Sequence, residues 1–199
     1  MNTAATAPAP PARPRSTRTD GLLIVAAMAA VMWLSEVADA VLPADLDAYG
    51  IAPRSGDGLT GVLLAPFLHG GFGHLAANTA PFAVMGAVIA LGGLARVLAV
   101  TAIVALVSGL GTWLVAPAGT VHLGASGVVF GYATYLLARG VFTRNLLHLG
   151  VGLVVLAFMG GVLLGGLLPQ QGISWQGHLF GAVGGVVAAR VLARRGPAA

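Results

Sequence analysis

Long apolar runs, broken by short clusters of Arg, Asp, Pro and Gly, set the pattern of this chain. The first goes from Leu22 to Leu34 and continues through Val37 to Leu42. Later runs cover approximately His74 to Leu94, Val97 to Val115, Gly127 to Ala138, Leu146 to Leu168 and His178 to Leu192. A helix needs roughly 20 apolar residues to cross a ~30 Å hydrocarbon core, and most of these runs are near that length. The pattern predicts an all-α membrane protein, a bundle of six transmembrane helices. A barrel would instead show short alternating strands. The fourth run is too short to cross from edge to edge. Its first turn is expected to start inside the membrane, where unpaired backbone amides must be lined by protein or water.

The segments between the runs complete the outline. Residues 1–20 are rich in Pro, Ala and Thr, carry Arg13, Arg15 and Arg18, and have no apolar periodicity. They read as a disordered cytoplasmic tail. A cleavable signal peptide is the competing reading, but the run that follows is long for a signal and suits a first span. The membrane domain occupies 21–195, followed by a short tail at 196–199. Glu36 and Asp39 fall in the outer part of the first span, near the far interface, in water or against other helices. Residues 43–73 form a long outer loop with Asp45, Asp47, Arg54 and Asp57, then the stretch GLTGVLLAPFL. That stretch is too interrupted to cross and is expected to re-enter partly or lie in the interface.

Composition agrees with this picture and narrows the chemistry. Of 199 residues, 57% are hydrophobic and 8% charged, against about 25% charged in a soluble domain. There is no Cys, which excludes disulfides and thiolate catalysis. All ten basic residues are Arg, and with abundant Ala and Gly this suggests a GC-rich bacterial genome. The net charge of +4 does not signal nucleic acid, because the arginines sit at the ends of apolar runs. Nine of the ten fall on one side of a six-span topology, all but Arg54. The positive-inside rule makes that side cytoplasmic. Both termini are thus expected in the cytoplasm and the protein in a bacterial cytoplasmic membrane. The pattern carries no signal of oligomeric state.

Candidate chemistry concentrates on two polar residues. Ser126 stands thirteen residues before Arg139 and His178 twelve before Arg190. At ~1.5 Å per residue, both lie about 18–20 Å above the cytoplasmic boundary. Gly127 and Gly131 on the fourth span, and Gly181 and Gly185 on the sixth, are spaced i, i+4. Small residues so spaced let helix backbones approach closely, and a Ser–His hydrogen bond of about 3 Å needs that approach. Ser126 is read as a nucleophile and His178 as its base, with the Ser126 amide at the helix start placed for an oxyanion. His74 and Asn78 share one face and supply further donors, although Asn78 is expected somewhat above the pair. His69 is read as tying down the loop and His122 as structural. His148 lies at the cytoplasmic end of the fifth span. Tyr132, Tyr135, Trp33, Trp113 and Trp175 are assigned to interfaces or packing. No HExxH motif suggests a metal site.

These residues resemble a known family. HxxxxHxxxN at His69, His74 and Asn78, GASGxxxG from Gly124 to Gly131, and GHxxGxxxG from Gly177 to Gly185 are similar to the signature motifs of the rhomboid intramembrane serine proteases. The resemblance runs from about Ala65 to Val187. It implies a six-helix bacterial core, Ser126 as nucleophile, His178 as general base, and an oxyanion hole of His74, Asn78 and the Ser126 amide. It also implies transmembrane protein substrates and no cofactor. The family associates its first loop and fifth helix with lateral substrate access. Two departures stand out: Pro53-Arg54 occupies the place of a Trp-Arg pair in the first loop, and Phe130 the place of a Tyr four residues after the serine. With no Asp as third member, His178 is expected to be oriented by packing alone, against Phe130. Two other readings are a catalytically silent binder of transmembrane helices and a small transporter. The second lacks both an inverted repeat and more than two intramembrane acids.

Overall fold

The computed structural model describes residues 17–193, and the expected cytoplasmic tail up to residue 16 and the short tail at 196–199 lie outside them. The chain forms seven helices and, among the described residues, no strand: α1 (Arg18–Val41), α2 (Gly61–Leu64), α3 (Phe72–Ala90), α4 (Leu94–Val115), α5 (Ser126–Thr143), α6 (Leu146–Gly166) and α7 (Trp175–Ala193). The short α2 belongs to the outer loop. Of the six long helices, five are long and apolar enough to cross a membrane. The exception is α5, which packs against α3, α4, α6 and α7. Its Tyr132, Tyr135 and glycines are buried in protein, so it needs no lipid-facing apolar surface of its own.

Of the boundaries that differ from expectation, two carry a capping feature. Helix α1 starts at Arg18 rather than after Asp20, because Thr17 and Asp20 close a capping box. The Asp20 amide donates to Thr17 Oγ1 over 3.1 Å and the Thr17 amide to Asp20 Oδ2 over 2.8 Å. Helix α5 runs through Arg139 to Thr143 and is capped by Arg144, whose φ of 50° is left-handed.

The centre of the bundle is the contact between α5 and α7. A Cβ placed on Gly181 would collide with the Gly127 carbonyl, and one on Gly185 with the Gly131 carbonyl. The two backbones therefore touch with no side chain between them. Thr134 Oγ1 also donates to the Ala182 carbonyl over 2.8 Å, and Ser108 Oγ of α4 to the Gly177 carbonyl over 2.8 Å. Away from Ser126, Tyr132 stacks on Phe82 with ring centres 5.5 Å apart, and Arg96 donates to the Tyr135 hydroxyl over 3.0 Å.

The outer loop is bound to the bundle by polar contacts. Arg54 Nη1 donates to the Leu114 and Ala116 carbonyls over 3.0 and 2.8 Å, taking acceptors that the end of α4 leaves unpaired. Trp113 of α4 returns an indole N–H to the Ser55 carbonyl over 2.9 Å. A tryptophan thus anchors this loop after all, but from α4 rather than from the loop itself. Ile51 and His122 exchange backbone hydrogen bonds of 2.8 and 3.0 Å, which joins the loop to the segment leading into α5. Asp39 Oδ1 accepts the Leu46 amide, and Glu36 is buried, so both acids of α1 face protein at its outer end.

Gly181→Val is expected to force α5 and α7 apart, at a cost of at least the ~1–3 kcal/mol typical of overpacking. Thermal unfolding in detergent should show a clear loss for this variant and none for Gly150→Ala, where an added Cβ meets nothing within 4 Å. Equal unfolding temperatures for wild type and Gly181→Val would contradict the close contact.

Candidate active site

Ser126 is the first residue of α5 and His178 sits in the first turn of α7. Because the two helices touch, these side chains meet: Ser126 Oγ lies 2.8 Å from His178 Nε2. The other ring nitrogen, Nδ1, lies 2.8 Å from the Gly166 carbonyl oxygen. A carbonyl only accepts, so Nδ1 carries the proton and Nε2 offers its lone pair to the serine hydroxyl. The ring is also stacked on Phe130, one turn below Ser126, at 4.1 Å between centres and 9° between planes. The expectation of orientation by packing alone is corrected here. A backbone carbonyl at the end of α6 supplies the hydrogen bond that an Asp would make.

Gly124 allows the approach to Ser126. Its φ of 108° is one that side chains rarely adopt, and a Cβ there would strike the His74 imidazole at 2.7 Å. His74 therefore lies against the chain just ahead of the serine. Asn78, one turn further along α3, donates through Nδ2 to the His74 carbonyl over 2.9 Å and is buried. Its amide keeps a second hydrogen to offer. Although expected above the pair, Asn78 lines the same cavity as His74, Ser126 and His178. The Ser126 amide, at the N-terminus of α5, has no acceptor within its own helix. Ser126, His178, His74 and Asn78 thus line one cavity.

His69 is buried beneath this group. Its Nε2 accepts the Ala125 amide over 3.3 Å, and its ring meets that of His74 edge-on at 5.2 Å. Burial, with a smaller contribution from His74, pulls its pKa down to about 4, so the ring is neutral near pH 7. His122 links the outer loop to the start of α7. Its Nδ1 lies 2.8 Å from Ser174 Oγ and its Nε2 2.8 Å from Thr120 Oγ1. Ser174 Oγ in turn accepts the Gly177 amide over 3.3 Å, next to His178. His148 is distant, paired with Thr143 at the α5–α6 turn. Trp33 donates to Thr79 Oγ1 over 3.1 Å.

The cavity has a volume of about 1270 Å³. Its outer rim is polar, with Gln170, Gln171 and Ser174. Its buried wall is apolar, with Met85 of α3 and Val129 and Ala133 of α5, and Met159, Val162 and Leu163 of α6 line it on a more exposed side. Such a space suits an apolar chain with one polar bond at the level of the serine. Two participants escaped the sequence reading. The Gly166 carbonyl is backbone and has no residue-type signature. Ser174 had one, since a serine just ahead of a helix is a capping signal.

A Ser–His pair held between glycine-packed helices sits inside a bundle of apolar helices. The chain belongs to the rhomboid family: the Rhomboid domain model matches residues 57–195. The uncharacterized protein Rv1337 of Mycobacterium tuberculosis is 44% identical over 200 residues, 92% of this chain and 83% of the relative. The uncharacterized protein ML1171 of Mycobacterium leprae is 43% identical over 181 residues, 86% of this chain and 71% of the relative. A Bacillus subtilis protein named "Putative rhomboid protease YdcA" is 34% identical over 128 residues, 62% of each chain. Family membership and the apolar helices make this a multi-pass membrane protein, and the family suggests intramembrane proteolysis.

Because His69 is held at about 4 when folded, against roughly 6.5 in an unfolded chain, the unfolded state takes up the extra proton between these values. Stability should therefore fall as pH drops from about 6.5 toward 4. Asp47 acts in the opposite sense: burial and the acids around it, Asp39, Glu36 and Asp45, raise its pKa to about 6. Replacing His69 by Gln, which can still accept the Ala125 amide, isolates the histidine effect. The difference in unfolding temperature between pH 7 and pH 5 should shift toward greater acid stability in His69→Gln. An identical pH dependence would refute the assignment.

Proposed function

We propose that this protein is a serine endopeptidase that cuts membrane proteins within or beside a transmembrane helix. The observation that carries the reading is the 2.8 Å contact between Ser126 Oγ and His178 Nε2, with Nδ1 committed to the Gly166 carbonyl. In that tautomer Nε2 takes the hydroxyl proton as Oγ attacks the scissile carbonyl carbon. The carbonyl oxygen becomes an oxyanion, to which the Ser126 amide, His74 and Asn78 donate. Collapse breaks the C–N bond, and His178 returns the proton to the leaving nitrogen. Water then attacks the acyl-enzyme by the same route, releasing the new carboxyl terminus and restoring the serine.

The medium supports this reading. A peptide bond inside a lipid-spanning helix is shielded by its own hydrogen bonds, so the substrate must unwind locally to reach the serine. A cavity with a polar rim and apolar depth can hold water and an unwound segment together. No cofactor enters the scheme. The arginines Arg96, Arg139, Arg144 and Arg190 lie opposite the outer loop with its acids. That distribution supports cytoplasmic termini in a bacterial plasma membrane and chemistry near the outer leaflet.

A fluorophosphonate probe should label the wild type at Ser126, and a reporter transmembrane substrate should be cleaved. Ser126→Ala is expected to abolish both, and His178→Ala to lower turnover by about 10³-fold or more. Asn78→Ala should cost about 10²-fold if its amide serves the oxyanion. Full labelling or cleavage by Ser126→Ala would disprove the proposal, and binding of transmembrane helices without labelling of the wild type would point to a silent binder.

A further inference from the structure

Charge is divided along this chain. Every Asp and Glu lies at or before Asp57, and the six arginines beyond it have no acid among them. Two of those six are turned into the bundle, at the end of α5 away from Ser126. Arg96, in the first turn of α4, folds back across the α3–α4 turn, where a Cβ on Gly92 would collide with its side chain. Its Nη1 donates to the hydroxyl of Tyr135, which is fully buried. Arg139 stands one turn beyond Tyr135 on the same face of α5. Its Nε is buried and has no hydrogen-bond partner among the described residues. Its charge is within electrostatic reach of Arg96, and His148 at the start of α6 is within reach of both.

Topology alone does not explain this arrangement. An arginine that only marks a membrane boundary extends its stem and leaves the head in water, where neighbouring charges are screened. Here two guanidiniums draw together beside one tyrosine. Like charges in a poorly solvated place repel, and a buried N–H without an acceptor is costly. One anion seated against both guanidiniums would offset both terms. The described acid at this end is Asp20, since the neighbouring Gly21 lies against Ala90 at the end of α3. Its carboxylate is turned to the Thr17 amide, which it accepts over 2.8 Å.

The surroundings select the kind of anion. Helix α6 starts against α5 at this point: a Cβ on Gly140, next to Arg139, would strike the backbone of Leu149 and come within 2.9 Å of that of His148. Around this junction Val141, Leu146 and Leu147 are largely exposed, as suits side chains that face acyl tails. A guanidinium fork matches the oxygens of a phosphate. A free phosphate would answer the arginines alone, whereas a phosphate carrying acyl chains answers the arginines and the exposed leucines together. We propose that Arg96 and Arg139, with Tyr135 beside them and His148 at the rim, bind the phosphodiester headgroup of an anionic phospholipid. Basic pockets between membrane helices are suited to such headgroups. A lipid held there ties α4, α5 and α6 together at the end remote from the dyad. The inference does not depend on the proteolytic reading.

The test uses the full-length protein in neutral detergent, titrated with phosphatidylglycerol, phosphatidylcholine or inorganic phosphate. Bound lipid is read by native mass spectrometry and stability by thermal unfolding. Phosphatidylglycerol should bind the wild type saturably and raise its unfolding temperature. Phosphatidylcholine has the same phosphodiester, but its choline cation meets the arginines, so it should do neither. Arg96→Gln and Arg139→Gln should each weaken phosphatidylglycerol binding by at least about fivefold, the effect of one basic residue close to an anionic headgroup. Arg18→Gln removes an exposed charge, open to screening, and should stay within about twofold of the wild type. Wild-type affinity in both Arg96→Gln and Arg139→Gln overturns the proposal. So does an equal loss in Arg18→Gln, which would mean diffuse attraction to the surface. Equal stabilisation by inorganic phosphate overturns the lipid as occupant. Should the variants fail to fold, the wild-type titration decides: a response to phosphatidylglycerol that does not saturate, or that phosphatidylcholine matches, overturns the site.

Discussion

The contact of two bare backbones, α5 on α7, is the constraint on which the site depends. Between helices in lipid there is little hydrophobic driving force, so association rests on close van der Waals fit and on hydrogen bonds across the seam. With no Cβ at Gly127, Gly131, Gly181 or Gly185, the carbonyls of one helix lie against the α-carbons of the other. Thr134 adds a hydrogen bond to the Ala182 carbonyl. Ser126 and His178 are at the outer end of this seam, and their 2.8 Å separation follows from it. A wider seam would leave the hydroxyl and the imidazole in place on their helices but out of reach of each other.

Around the seam, the candidate site is assembled from helix ends. In a membrane, helix termini carry the backbone groups that lack partners, and they must be protein-lined or wet. Here α5 brings its N-terminal amides, α6 its C-terminal carbonyl, and α3 and α7 their first turns with His74 and His178. The positive end of one dipole faces the serine, and the negative end of another faces the far side of the imidazole. The outer loop holds these ends in register. Arg54 and Trp113 bind it to α4, and the Ile51–His122 pair binds it to the approach to α5. His122 then passes the restraint through Ser174 to the start of α7.

Much of this was legible in the residues. Helix-length apolar runs separated by arginines and turn formers are a one-dimensional signal, and the six long helices follow them closely. Ser126 and His178 could be paired because depth in a bilayer can be counted along a helix, and paired glycines announce where backbones meet. The misses have specific causes. Arg139 closes the fourth apolar run, yet the helix runs on to Thr143. The capping box of Thr17 and Asp20 follows a Pro-rich stretch that hides it from the apolar pattern. A loop lacking its own tryptophan gave no hint that Trp113, 58 residues from Ser55, would anchor it.

What the sequence determined by itself is the kind of molecule and the residues able to do chemistry, because hydropathy, charge and side-chain type are written in each residue. Tertiary structure alone decided which backbone groups those residues would meet. A glycine carbonyl is the same in every glycine, and this chain has 30 of them. Only the termination of α6 beside α7 makes the oxygen of Gly166 the one that receives the His178 proton.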